Sequence, residues 1–179
     1  MRARRAVVRE FLLQERVSAL CLVETKLDVL SPSLATDLMG AGFDYVCLPS
    51  VGASGGIVVA WSRDVRVVTT RACRSHSVTV SIAPTSSPSV SWTLSSVYGP
   101  VLEELKSAFL DELRAVRADA SGLVLICGNF NQIYRVADKN NNRLNLRSMH
   151  RFRRLINDCQ LDELYLHGRL YTWTNEDRG

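Results

Sequence analysis

Four polar residues stand at or just after the ends of apolar, strand-like runs, where a strand can fix a side chain and a loop can expose it. Glu24 follows Leu-Cys-Leu-Val, Tyr98 ends an alternating run before Gly-Pro, and Asn129 and Asn131 follow Leu-Val-Leu-Ile-Cys-Gly. A carboxylate, a phenol and two amides would form one polar site if these strands ended at the same end of a sandwich. Taken singly, each has a plainer explanation as a solvated strand end, a half-buried turn residue or a turn-forming asparagine.

A second chemical feature is a concentration of positive charge. Between residues 135 and 154 the chain carries seven Lys and Arg residues against the single acid Asp138, whereas the net charge of the whole chain is only +4. Such a surface can face phosphates, and it can equally be the solvated face of a helix. The candidate nucleic-acid-binding residues are Arg147, Arg151, Arg153 and Arg154.

The elements that must position these residues mix helices with strands. Apolar spacing and capping signals predict helices over 4–14, 31–40 and 102–116, and a last one marked by Met149, Phe152, Ile156 and Cys159. Strand-like runs cover 18–23, 43–48, 57–61, 65–70, 78–82, 90–94, 123–127 and 170–173. Alternating meanders in the middle and helices between the other strands predict an α/β (α+β) fold of two packed sheets with outer helices.

The composition excludes several classes of protein. With 46% apolar residues in a chain of 179, a substantial core can form, and a disordered protein is not expected. The apolar runs are too short to span a bilayer, and none near the start resembles a secretory signal. We therefore expect an intracellular protein of the nucleus or cytoplasm that is neither secreted nor bound to a membrane.

The five cysteines lie at least 26 residues apart and form no Cys-x-x-Cys pair. Neither a zinc site nor a disulfide framework is indicated. We expect buried, reduced thiols.

Four motifs occur in one order along the chain: LVETKL (22–27), SSVYGP (95–100), ICGNFN (126–131) and YTWTN (171–175). As a set they resemble the endonuclease/exonuclease/phosphatase superfamily, which has the DNase I-like fold. The stretches 137–176 and GASGGIVVAW (52–61) make the chain most similar to the apurinic-endonuclease-like domain of plant LINE-type non-LTR retrotransposons. The resemblance covers practically the whole chain.

This resemblance implies a four-layer sandwich of two mostly antiparallel sheets with outer helices, and cleavage of DNA phosphodiester bonds with Mg²⁺ or Mn²⁺. By resemblance Glu24 is the metal-binding glutamate, Tyr98 contacts the scissile phosphate, and Asn131 orients the phosphate and the attacking water. The residue types suit that chemistry, because hard cations prefer carboxylate oxygen and phenol or amide donors stabilise charge on a phosphate.

Three departures from the family pattern affect the expected activity. Asn129 stands where the family has the aspartate of Gly-Asp-Phe-Asn, and an amide cannot take a proton from water, a loss that typically costs about 10²–10⁴ in rate. The family also begins with a Trp-Asn-x-Arg-Gly segment and ends with Ser-Asp-His, and none of His76, His150 and His167 has the latter context. We therefore expect residues 1–179 to be a single, incomplete domain of this type.

Three functional hypotheses follow. The chain is an active divalent-metal-dependent endonuclease, a decayed retrotransposon endonuclease domain without activity of its own, or a non-catalytic nucleic-acid-binding module that uses the basic segment. The departures favour the second hypothesis. DNA is the expected partner, no small-molecule cofactor is expected, and the oligomeric state is left open.

Overall fold

The computed structural model describes residues 2–52, 54–64, 66–87, 89–138 and 144–164. The chain divides into a larger unit, Met1–Asn131, and a smaller unit, Gln132–Gly179. The predicted strand at 170–173, the YTWTN motif and His167 lie outside the described residues.

The elements of the larger unit follow one another as helices interspersed with strands. In chain order they are α1 (Arg2–Gln14), β1 (Ala19–Val23), α2 (Pro32–Met39), β2 (Phe43–Val51), β3 (Ser54–Ser62), β4 (Arg66–Cys73), β5 (Ser77–Pro84), β6 (Trp92–Tyr98), α3 (Lys106–Asp119) and β7 (Val124–Asn129). A short 3₁₀ helix, Glu103–Leu105, precedes α3.

The strands form two sheets. The first has the order β1-β3-β2 and is antiparallel throughout, and the second has the order β4-β5-β6-β7. In the second sheet only the β6–β7 pair is parallel. The connection between these two strands contains α3, which returns the chain to the end of the sheet where β6 begins, so β7 runs in the same direction as β6. Two mostly antiparallel sheets with helices confirm the predicted fold class.

Strand β3 explains how the layers are held together. Its side chains alternate between two faces, as strand geometry requires. Ile57 and Val59 are buried between the sheets, in a cluster with Val78, Val80, Ile82 and Leu94. Val58 and Ala60 are buried on the opposite face, in a cluster with Leu12 of α1 and with Ala35 and Met39 of α2. The first sheet is therefore covered by helices on one face and by the second sheet on the other.

The outer face of the second sheet carries α3. Phe109, Leu113 and Val116 are almost fully buried, as the predicted apolar face requires. Leu102 and Leu105, which the sequence placed on that same face, are exposed. The reason is that the chain there runs through the 3₁₀ turn, so that α3 begins only at Lys106.

Capping explains where α2 begins and ends. The Ser31 hydroxyl accepts a hydrogen bond from the backbone N–H of Leu34, and Pro32 occupies the first turn, where its missing N–H costs nothing. The helix ends at Gly40, whose φ of 91° suits a residue without a side chain. The sequence prediction of a helix over 31–40 is confirmed.

The smaller unit contains a 3₁₀ helix, Val136–Asp138, and α4 (Leu146–Asp158). The Asp138 carboxylate accepts hydrogen bonds from the backbone N–H groups of Tyr134 and Arg135, both at 2.9 Å. Asn145 caps α4 by accepting from Ser148 N at 3.0 Å. Met149, Phe152 and Leu155 form the buried face of the helix.

The cysteines are all free, but their environments differ. Cys159 is buried and Cys73 is exposed, so the prediction of buried thiols is wrong for Cys73. Cys21 of β1 and Cys127 of β7 lie between the two sheets. The interaction of their thiols raises the pKa of Cys21 and lowers the pKa of Cys127.

None of the helices in the described part of the chain has the length and apolar character that crossing a membrane requires.

Candidate active site

Three strand ends of the larger unit meet at one place. Tyr98 is the last residue of β6 and pairs with Asn129, the last residue of β7, and because these strands are parallel their carboxyl ends lie at the same edge. Glu24 directly follows β1 in the other sheet, and the Asn129 side chain reaches it. The structure thus brings together all four polar residues that the sequence singled out at strand ends.

The Asn129 side chain connects the other members of the site. Its Oδ1 accepts a hydrogen bond from the backbone N–H of Asn131 at 2.9 Å, and its Nδ2 donates to Glu24 Oε1 at 3.2 Å. The backbone N–H can only donate, so it fixes the amide with its oxygen toward Asn131 and its nitrogen toward Glu24. Asn129 therefore presents a donor, not an acceptor, to the carboxylate.

Tyr98 lies against the same two partners. Burial raises the pKa of its phenol, the hydrogen bond to Glu24 and the negative charge of Glu24 raise it further, and a hydrogen bond with Asn131 acts in the opposite direction. The phenol consequently keeps its proton at neutral pH, and it lies beside the Glu24 carboxylate. Asn131 is itself held by a hydrogen bond from its Nδ2 to the carbonyl oxygen of Gly99 at 2.7 Å.

Two of the site residues adopt a left-handed backbone conformation. Glu24 has φ of 57° and Asn131 has φ of 48°. Asparagine tolerates this region, whereas for glutamate it costs on the order of 1–3 kcal/mol and must be held by the surroundings. The backbone N–H groups of Thr25 and Lys26 donate to Gly56 and Gly55, and this pairing holds the turn that aims Glu24 at the site.

Glycines make the close approach of the strand ends possible. A Cβ on Gly128 would lie 2.1 Å from the carbonyl oxygen of Val97, and a Cβ on Gly99 would lie 2.1 Å from that of Phe130. Similarly, a Cβ on Gly56 would lie 2.3 Å from Thr25 Oγ1. Sequence reasoning treated these glycines as parts of motifs and missed that each one makes room for backbone or loop next to a site residue.

His76 and Glu112 are positioning residues that sequence reasoning also missed. The backbone N–H of Tyr98 donates to the carbonyl oxygen of His76 at 2.9 Å, and His76 Nδ1 lies 3.2 Å from the carbonyl oxygen of Tyr98. The Glu112 carboxylate in turn accepts from the backbone N–H of His76 and from Ser77 Oγ, the latter at 2.6 Å. No local pattern signals these pairings, because the partners are 22 and 36 residues apart.

The basic residues of α4 belong to the smaller unit and do not all share one face. Arg147, His150 and Arg154 are exposed at helical spacings of three and four residues, which places them on one stripe. Arg151 is half-buried at its side. Arg153 is also exposed, but its guanidinium carbon lies 5.6 Å from the centroid of the Tyr134 ring. The sequence grouping of Arg147, Arg151, Arg153 and Arg154 therefore separates into a stripe and a cation–π contact.

The residues of the site do not fit the divalent cation that the resemblance implies. Mg²⁺ and Mn²⁺ are held by several oxygen ligands, and the described residues include no group of three His, Cys, Asp or Glu side chains that could hold a metal. The one carboxylate of the site, Glu24, accepts a hydrogen bond from Asn129 Nδ2 and lies beside the Tyr98 phenol. The Asn129 oxygen is already used by the backbone N–H of Asn131.

Comparisons with known proteins agree with this fold. Residues 1–179 match the model of the Endonuclease/Exonuclease/phosphatase family. No curated protein matches the chain. Among solved structures, the endonuclease domain of TRAS1, a telomere-specific non-LTR retrotransposon, superimposes with a TM-score of 0.63 at 12% sequence identity, over 88% of this chain. The chain spans 64% of the length of that structure, and at this identity the likeness concerns the fold alone.

The glycine contacts generate a prediction about stability. We expect Gly128→Ala to reduce the free energy of unfolding by about 1–3 kcal/mol more than Gly122→Ala, because only the first substitution forces an overpacked contact, with Val97. Gly122 is the matched control, since its φ of 93° is also left-handed but nothing lies within 4 Å of the added Cβ. Urea unfolding of both variants measures the difference, and equal losses would contradict the close-approach argument.

Proposed function

Because the chain belongs to the endonuclease/exonuclease/phosphatase family, we propose that it is a plant-LINE-type retrotransposon domain of this family whose phosphodiester-cleaving centre is silenced at Asn129. The family generally uses divalent metal ions. The single observation that carries the proposal is the hydrogen bond from Asn129 Nδ2 to Glu24 Oε1. It places a neutral amide donor where the family pattern has a second carboxylate.

Hydrolysis of a phosphodiester requires that water lose a proton and that negative charge on the phosphate be stabilised. This chain retains groups for the second task. The Tyr98 phenol keeps its proton, and the Asn131 amide is fixed beside it. Both lie at the strand ends, next to the exposed carboxylate of Glu24.

The described residues of the site do not supply a general base for the first task, the removal of a proton from water. Asn129 cannot accept a proton from water, and its oxygen is engaged by the backbone of Asn131. The Glu24 carboxylate accepts a hydrogen bond from Asn129 Nδ2 and lies beside the protonated Tyr98 phenol. Losing a positioned general base lowers a rate by about 10²–10⁴, and since residues that act as a unit fail together, we expect turnover to be close to background.

Nicking of supercoiled plasmid tests this proposal. We expect the chain to leave the plasmid intact with either Mg²⁺ or Mn²⁺, at a rate indistinguishable from buffer, while a nicking endonuclease run in parallel converts it to open circles. Glu24→Ala is the control for contaminating nuclease, because it removes the carboxylate of the site. Robust nicking by the unmodified chain that disappears in Glu24→Ala would overturn the proposal.

A second candidate function is a non-catalytic nucleic-acid-binding module. The observation that favours it is the exposed basic stripe of Arg147, His150 and Arg154 on α4. Guanidinium groups on one helix face can follow a phosphate backbone without reading its sequence, and such binding weakens as salt displaces it. In this candidate function the chain binds nucleic acid through α4 but does not cleave it.

Neighbouring arginines provide a matched test of this candidate. We expect Arg154→Ala to weaken binding to a fluorescent DNA duplex and to reduce the slope of log K against log salt by about 0.9, the value of one phosphate contact. Arg153→Ala removes the same charge from the residue that contacts Tyr134, and we expect it to leave the slope unchanged. Fluorescence anisotropy at several salt concentrations measures both. Equal effects of the two variants, or no binding at low salt, would remove the candidate.

A further inference from the structure

We infer that in this chain the hydrogen bond between Asn129 and Glu24 takes the place of a bound cation, so that the polar centre assembles without divalent metal. The inference rests on the proposed function, in which Asn129 replaces a carboxylate. An aspartate in place of Asn129 would bring a second negative charge beside Glu24, whereas the neutral amide donates a hydrogen bond to it.

The groups that face Glu24 are neutral hydrogen-bond donors. Its carboxylate lies beside the ends of two other strands, and its backbone is held at φ of 57° so that it points there. Among the residues that the structure describes, no Lys or Arg forms an ion pair with it. The groups that face it are the Asn129 amide and the Tyr98 phenol, both neutral donors.

The backbone N–H of Asn131 fixes the orientation of the Asn129 side chain. An aspartate at this position would keep one oxygen toward the backbone N–H of Asn131, because that donor needs an acceptor. Its other oxygen would then occupy the place of Nδ2, 3.2 Å from Glu24 Oε1. Two carboxylate oxygens at that distance repel unless a proton or a cation lies between them. The amide nitrogen of Asn129 therefore supplies the positive end that an ion would otherwise supply.

A thermal unfolding experiment on the full chain tests the inference. We expect the melting temperature of the unmodified chain to be the same in EDTA and in millimolar Mg²⁺. We expect Asn129→Asp to melt about 2–4 °C lower in EDTA, the shift typical of a modest destabilisation in a chain of this size, and to recover when Mg²⁺ is added. Asn157→Asp adds the same charge at an exposed position of α4 and is expected to show no dependence on Mg²⁺.

A reciprocal variant keeps the test decisive if Asn129→Asp does not fold. Glu24→Gln combined with Asn129→Asp exchanges the amide and the carboxylate, restores one donor–acceptor pair, and is expected to melt at one temperature with and without Mg²⁺. The inference is overturned if the unmodified chain is stabilised by Mg²⁺ in a saturable way. It is also overturned if Asn129→Asp does not respond to Mg²⁺, or if the reciprocal variant still requires it.

The two proposals fail in different ways. Plasmid nicking by the unmodified chain overturns the proposed function. An unmodified chain that leaves DNA intact but is stabilised by Mg²⁺ overturns only the inference about the cation. An unmodified chain that neither nicks DNA nor responds to Mg²⁺ supports both.

Discussion

The hydrogen bonds of one side chain, Asn129, connect the parts of the candidate site. Its oxygen fixes the backbone of Asn131 and its nitrogen reaches Glu24, so a single planar amide joins the end of β7 in the second sheet to the residue after β1 in the first. Because the amide is neutral and carries both a donor and an acceptor, it satisfies both partners without a charge of its own. The geometry of the site and its proposed lack of cleavage activity have the same origin.

The fold supplies the conditions under which one amide can do this. The inner faces of the two sheets pack through Ile57, Val59 and the valines of β5, which sets the distance between β1 and β7. The parallel pairing of β6 with β7 aligns Tyr98 with Asn129, and Gly128 and Gly99 let those strand ends approach without a side chain in between.

The backbone of Glu24 is strained because its left-handed conformation directs the carboxylate toward these strand ends. The hydrogen bonds of the following residues with Gly55 and Gly56 offset that strain.

Sequence reasoning found the residues of the site but not the contacts that place them. Glu24, Tyr98, Asn129 and Asn131 could be identified because strand ends are recognisable from local pattern, and the fold class followed from the mixture of strands and helices. The His76–Tyr98 pairing, the contact of Arg153 with the Tyr134 ring, and the 3₁₀ turn before α3 could not be identified. They depend on neighbours that are distant in the sequence or on the residue at which a helix begins, and local spacing encodes neither.

Paramagnetic broadening by Mn²⁺ measures whether a cation binds beside Glu24. In a ¹H–¹⁵N correlation spectrum of the full chain, the side-chain amides of Asn129 and Asn131 report on any ion near Glu24, because an unpaired-electron spin broadens signals close to it. Because the Asn129 amide takes the place of the ion, we expect low-millimolar Mn²⁺ to leave these two signals as sharp as that of Asn157 on α4. Selective, saturable loss of the Asn129 and Asn131 signals would show a bound cation and contradict this expectation.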